Sequence, residues 1–271
     1  LWLGYTAIGK IIELRDNMIL PWIGALLVGL SLGLLGSGGS ILTVPVLIYL
    51  AGEQEKVAIA ESLGIVGAIS LAGFVPYALK NQVHWRSVIL FGIPGMAGTY
   101  GGAMIAGYVS GTFQLMLFAG VMIAAAIMMF RDDKKQMKVE TGSLQEVQAW
   151  WKIVLEGLAV GILTGLVGVG GGFLIVPALV LLGGLPMSLA VGTSLMIIAL
   201  KSFSGFYKYL DVLAGIELSI NWQLVLVFSL IGAVGSLVGK SVGSKISNDK
   251  LKKGFAVFLI LMGSYILYMN I

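Results

Sequence analysis

Residues 29–47 read GLSLGLLGSGGSILTVPVL, and residues 161–179 read GILTGLVGVGGGFLIVPAL. Each stretch carries an apolar run into a glycine cluster: Gly36, Ser37, Gly38, Gly39 and Ser40 in the first, Gly168, Val169, Gly170, Gly171 and Gly172 in the second. Each then restarts as an apolar run with a proline inside it, Pro45 or Pro177. The restarted runs, 41–51 and 173–183, are too short to cross a bilayer, which takes about 20 helical residues. A hairpin between two ordinary helices is one reading of such a cluster. The other, which the glycine content favours, is an extended segment that enters the membrane and becomes a half-helix at mid-depth.

The two stretches are copies. At a spacing of 132 residues Gly29, Gly33, Gly36, Gly38 and Gly39 meet Gly161, Gly165, Gly168, Gly170 and Gly171 without a gap. The match continues through Pro45 and Pro177, Ser62 and Ser194, Phe74 and Phe206, to Tyr77 and Tyr209. Five extra residues near 213–220 shift the spacing to 137, and Trp85, Phe91, Gly95, Gly98 and Gly102 then meet Trp222, Phe228, Gly232, Gly235 and Gly239. Such self-similarity marks two homologous halves.

Composition says what the halves are. Of 271 residues, 58% are hydrophobic and 11% charged, with mean hydropathy +0.99. A soluble domain carries about 25% charged residues, so a water-covered globule is excluded. A disordered chain and a nucleic-acid binder with its basic face are excluded too. Ten apolar runs, near 17–35, 41–51, 57–79, 86–109, 113–130, 154–167, 173–183, 188–210, 222–244 and 255–270, predict an all-α polytopic membrane protein. The expected organisation is a first repeat over 17–130, a charged linker over 131–152 and a second repeat over 153–270.

Five segments per half is an odd number, so the second half is expected upside down relative to the first. With the N-terminus outside, twelve of the 17 basic residues fall in inside loops: Lys80, Arg86, Arg131, Lys134, Lys135, Lys138, Lys152, Lys240, Lys245, Lys250, Lys252 and Lys253. That agrees with the positive-inside rule. Inverted repeats with broken helices belong to secondary transporters, whose site lies where the repeats meet.

The doubled glycine signature, the pair AESLGI at 60–65 and GTSLMI at 192–197, and the duplicated layout around a charged loop resemble the TauE/SafE family of sulfite and organosulfonate exporters. The resemblance covers about residues 21–269. It implies a carrier of small sulfur-containing anions in the bacterial plasma membrane, working outward, with no cofactor.

The residues suit that cargo. Helix N-termini present free N–H groups and partial positive charge, and glycines admit an oxyanion close to the backbone. The candidate anion-binding residues are Gly38, Gly39 and Ser40 in the first cluster and Gly170, Gly171 and Gly172 in the second. Ser62, Thr193 and Ser194 are hydroxyl donors on the helices that follow, unless they bond their own helix carbonyls instead. Lys201 stands in mid-run, where a charge is functional by default. Glu61 is read as a proton carrier, as a partner for Lys201, or as an exposed acid at a helix start. Pro45 and Pro177 are expected in first helical turns. Gly95, Gly98, Gly102, Gly232, Gly235 and Gly239 are read as packing residues, and His84 as an interfacial residue beside Trp85.

Other classes fit less well. An enzyme needs an acid/base pair, a metal set or an activated nucleophile, and the chain has one histidine, no cysteine and scattered acids. It has no G-x-x-x-x-G-K-[ST] phosphate loop for ATP-driven pumping. A passive anion channel of the same fold, or a carrier for a different small anion, remains as the alternative. A membrane scaffold has no use for paired glycine clusters and Lys201. The glycine-rich surface permits a homodimer without requiring one.

Overall fold

The computed structural model describes residues 19–34, 39–139, 150–172, 175, 176, 179, 185–243 and 248–270. Among them there is no strand. The helices are α1 (Ile19–Leu34), α2 (Ser40–Tyr49), α3 (Glu55–Ala78), α4 (Trp85–Ala106, with a π turn at Val88–Gly92), α5 (Gly111–Val139), α6 (Trp150–Val167), α7 (Met187–Ala214), α8 (Trp222–Gly243) and α9 (Asn248–Asn270). Residues 172, 175, 176 and 179, between α6 and α7, are helical as well. α3, α4, α7 and α8 are long and apolar enough to cross a membrane, and α1, α2, α5 and α9 hold shorter apolar stretches. Gly38 and Pro177 lie outside the described residues, as do residues 140–149 of the linker.

α3 and α7 form the centre. In α3, 83% of the apolar window is buried within the protein, against 39% in α8. Leu226, Leu230, Val234 and Leu237 of α8 are exposed, an apolar outer face suited to lipid rather than water.

The packing follows the duplication. α3 lies on α7 and α5 on α9, so each pair joins equivalent segments of the two halves. α1 lies on α8 as its counterpart α6 lies on α4. Glycines make these crossings close enough for backbone to touch backbone. A methyl group at Gly29 would strike the Gly232 carbonyl, and one at the equivalent Gly161 would strike the Gly95 carbonyl. Gly33 faces the Ser236 backbone as Gly165 faces the Thr99 backbone. Gly98, Gly102, Gly235 and Gly239 are likewise pressed against a facing helix, so the six glycines read as packing residues serve that purpose.

The second glycine cluster turns the chain back into the protein, and Gly39 of the first stands where α2 begins. Gly39 sits against Val28, Ser31 and Leu32, in the C-terminal half of α1. α2 then runs back along α1, bringing Val46 and Leu50 to Gly24. Its ten residues span about 15 Å, half a bilayer core. Pro45 is the sixth residue of α2, not in the first turn as expected. The helix tightens at its start, with Leu42 N–H on the Gly39 carbonyl (3.1 Å), so it begins earlier relative to the proline than the glycine run suggested. Lacking an N–H, Pro45 leaves the carbonyl of Ile41 without a helical partner.

A candidate anion site at the second glycine break

α6 stops at Gly168, whose φ of +75° is open to glycine and strained for other residues. Its N–H still bonds the Thr164 carbonyl (2.8 Å). From there the chain descends along α3. A methyl group at Gly168 would lie 2.6 Å from Ile59, and one at Gly170 would lie 2.7 Å from Val66. Ile59 and Val66 are seven residues apart, or about 10 Å along a helix. Gly171, again left-handed at φ +67°, brings the chain back beside Thr164 and Val160 of α6. Gly172 is buried and starts the next helical piece.

Lys201 reaches this turn from α7. It is fully buried. Its stem lies across Gly95 of α4, where a methyl group would come 2.7 Å from Cδ. Its Nζ would lie 3.0 Å from a methyl group on Gly171, so the ammonium stands against the glycine backbone. Nζ donates to Thr164 Oγ1 (3.3 Å), and that hydroxyl donates onward to the Val160 carbonyl (2.7 Å). No carboxylate pairs with Lys201 among the described residues, where the ion pair is Lys208–Asp211 at 3.2 Å. A narrow crevice lined by Val121, Val160, Leu163, Thr164, Val167, Val169 and Gly171 approaches the same turn from between α5 and α6.

The other expected residues are placed as follows. Gly39 precedes Ser40 at the start of α2, which has no acid in its first turn and no side-chain cap. Ser40 is buried. Ser62 is buried on α3, its O–H shared between the carbonyls of Ile59 (2.7 Å) and Gly168 (2.6 Å), so it ties α3 to the second break. Ser194 bonds back to the Val191 carbonyl (2.8 Å). Thr193 accepts the backbone N–H of His84 (2.9 Å). His84 caps the start of α4: its Nδ1 accepts Ser87 N–H (3.3 Å) and lies 2.8 Å from Ser87 Oγ, while Trp85 beside it is exposed.

Glu61 departs from two of its three readings. It is fully buried rather than exposed, and it makes no ion pair with Lys201. The reason is tertiary: the start of α8 folds over this turn of α3, and Asn221 N–H donates to Glu61 Oε1 (2.8 Å).

Two residues that the sequence reading passed over belong here. Thr164 is the partner of Lys201. Ser202 is buried, its hydroxyl has no partner among the described residues, and it would sit 3.2 Å from a methyl group on Gly170. A signal existed for Ser202. It is 132 residues after Ser70, which is also buried without a hydroxyl partner among the described residues. Thr164 had none, because its counterpart is Leu32.

The family model described as Sulfite exporter TauE/SafE matches residues 22–266. The chain belongs to the TauE/SafE family. This TauE/SafE protein is 33% identical over 249 residues to a probable membrane transporter protein of Xylella fastidiosa strain Temecula1, covering 89% of this chain and 92% of the relative. It is 28% identical over 262 residues to the probable membrane transporter protein YunE of Bacillus subtilis, covering 88% and 93%. It is 27% identical over 270 residues to the probable membrane transporter protein MJ0441 of Methanocaldococcus jannaschii, covering 94% and 98%. No solved structure matches the chain. The protein is thus a membrane transporter of this family, built of apolar helices.

Proposed function

We propose that this TauE/SafE transporter carries sulfite or a small organosulfonate outward across the bacterial plasma membrane, by alternating access around an anion site at the second glycine break. One observation carries the reading. Lys201 is fully buried, has Thr164 Oγ1 as its hydrogen-bond partner, and stands against Gly171 with no carboxylate beside it among the described residues. An ammonium removed from water costs several kcal/mol unless an opposite charge or good hydrogen bonds compensate it. A bound oxyanion supplies that charge.

In this reading the substrate oxygens accept from Lys201 Nζ and from the N–H groups at Gly170, Gly171 and Gly172. Gly38, Gly39 and Ser40 form the matching face of the other half. Ser62 holds the second break in position through the Gly168 carbonyl, while Thr193 and Ser194 shape α7 below Lys201. The halves lie inverted, over 17–130 and 153–270, with the N-terminus outside and the linker 131–152 inside.

Purified protein in liposomes, assayed for uptake of sulfite, sulfate, sulfoacetate and taurine, tests the reading. Saturable sulfite or sulfoacetate flux with trans-stimulation is the expected result. Flux that never saturates and shows no trans-stimulation would establish a channel, and equal indifference to all four solutes would refute the cargo.

A further inference from the structure

We propose that Glu61 is a proton-binding site that couples anion movement to the proton gradient; as a coupling site it rests on the transport reading above. The start of α8 is anchored by Asn221 N–H on Glu61 Oε1 (2.8 Å), and the start of α4 by His84 N–H on Thr193 Oγ1 (2.9 Å). Asn221 is the counterpart of His84, and Glu61 of Thr193. The caps correspond as well: Leu224 N–H bonds Asn221 Oδ1 (3.1 Å) as Ser87 N–H bonds His84 Nδ1 (3.3 Å). One architectural joint is thus built twice, once with a threonine and once with a glutamate.

Thr193 shows what the joint itself demands: one neutral oxygen that accepts one N–H. A carboxylic acid meets that demand through Oε1 and leaves Oε2 spare. Oε2 is buried and has no hydrogen-bond partner among the described residues, so it is surplus to anchoring the helix. Buried polar atoms without partners call for an account of their use. Oε2 is the atom that takes the proton, becoming a hydroxyl, and gives it back, with no other bond made or broken.

The charged groups around α3 are engaged elsewhere. On α7, Lys201 meets Thr164, and Lys208 pairs with Asp211. On α8, Lys240 lies 3.6 Å from the centre of the Tyr77 ring. Tyr209 of α7 is bound by Gln114 Nε2 of α5 (2.9 Å). Ahead of α3, Glu53 accepts from Asn221 Nδ2 (3.4 Å); within α3, Glu55 accepts from Thr112 Oγ1 (3.3 Å) and Lys56 reaches the Gly107 carbonyl (3.4 Å). No cation therefore balances a Glu61 carboxylate among the described residues. The link to the anion site is short. Ser62, the next residue, holds the Gly168 carbonyl (2.6 Å), three residues before the Gly171 that faces Lys201. A change of charge at Glu61 alters the α3–α8 joint on one side of this turn, and the turn grips the glycine break on the other.

The test has two arms. Infrared spectra of the purified protein, titrated with acid and base, should show a carboxylic-acid C=O band that is absent in Glu61→Gln and retained in the control Glu53→Gln. In liposomes, an imposed pH gradient should change wild-type sulfite flux several-fold, and that response should vanish in Glu61→Gln. Glu61→Thr, which installs the residue of the other joint, should fold if the amide does not and should also lose the response. A wild-type band and gradient response that persist in either variant would overturn the proposal. The infrared arm needs no substrate, so it decides the proton site even where the flux panel has refuted sulfite as cargo.

Discussion

Replacing Lys201 by methionine separates a substrate-binding lysine from a structural one. The side chain is fully buried, its stem packs on Gly95, and Met fills a similar apolar volume, so the fold should survive. The single direct hydrogen bond lost is to Thr164 Oγ1 at 3.3 Å, and that hydroxyl keeps its bond to Val160. The unliganded protein should therefore melt at the wild-type temperature or above it, because a buried charge without a counter-ion has been removed. Binding should suffer instead. A hydrogen bond to a charged group is worth about 1.5–3 kcal/mol, which predicts a loss of sulfite affinity of about 10- to 150-fold. In the wild type, sulfite at 100 times its Kd should add about 2.7 kcal/mol of stability, and the variant at the same concentration should gain only about 0.3–1.4 kcal/mol. Calorimetric titration and thermal melting with and without sulfite measure both quantities. Wild-type sulfite affinity in Lys201→Met would refute the reasoning.

Gly171→Ala should reduce flux at least tenfold, since φ is +67° and the new methyl group meets Thr164 Oγ1 and, at 3.0 Å, Lys201 Nζ; liposome flux at matched expression checks it. Gly161→Val should act on the fold rather than the site, because a side chain there strikes the Gly95 carbonyl and forces α4 from α6. Melting several degrees lower is expected, with sulfite affinity retained in the folded fraction. For the topology, single cysteines at Gln136 and Asn248 should label only from inside, and at Gln54 and Gly215 only from outside; Gln54 and Gln136 labelling from the same side would refute the inverted arrangement.

Much of the architecture was legible because membrane helices are set by local composition. The apolar runs gave all nine labelled helices to within a few residues at most of their ends, and the undersized run after the first glycine cluster is the ten-residue α2, while most of the run 173–183 lies outside the described residues. α5 is the chief exception: it extends to Val139, well past the apolar run that ends near 130, because a helix can continue into charged sequence once the lipid-facing part has nucleated it. The chemistry of single residues was harder to read. Ser194 looked like a ligand donor and bonds its own helix, an outcome the sequence permits equally well.

What the sequence alone determined was the class of protein and the internal match between its two glycine-rich stretches. Hydropathy decides which segments enter lipid, and a repeat is a property of the string itself. Only the tertiary structure decided which side chains meet. Lys201 and Thr164 are 37 residues apart and come together because α7 and α6 both pack on α4. Glu61 and Asn221 are 160 residues apart, and α8 folding onto α3 buries a carboxyl group that the sequence would place at an open helix start. Burial and pairing depend on helix crossings that glycine contacts set across the two halves, and no local window of sequence contains both sides of such a contact.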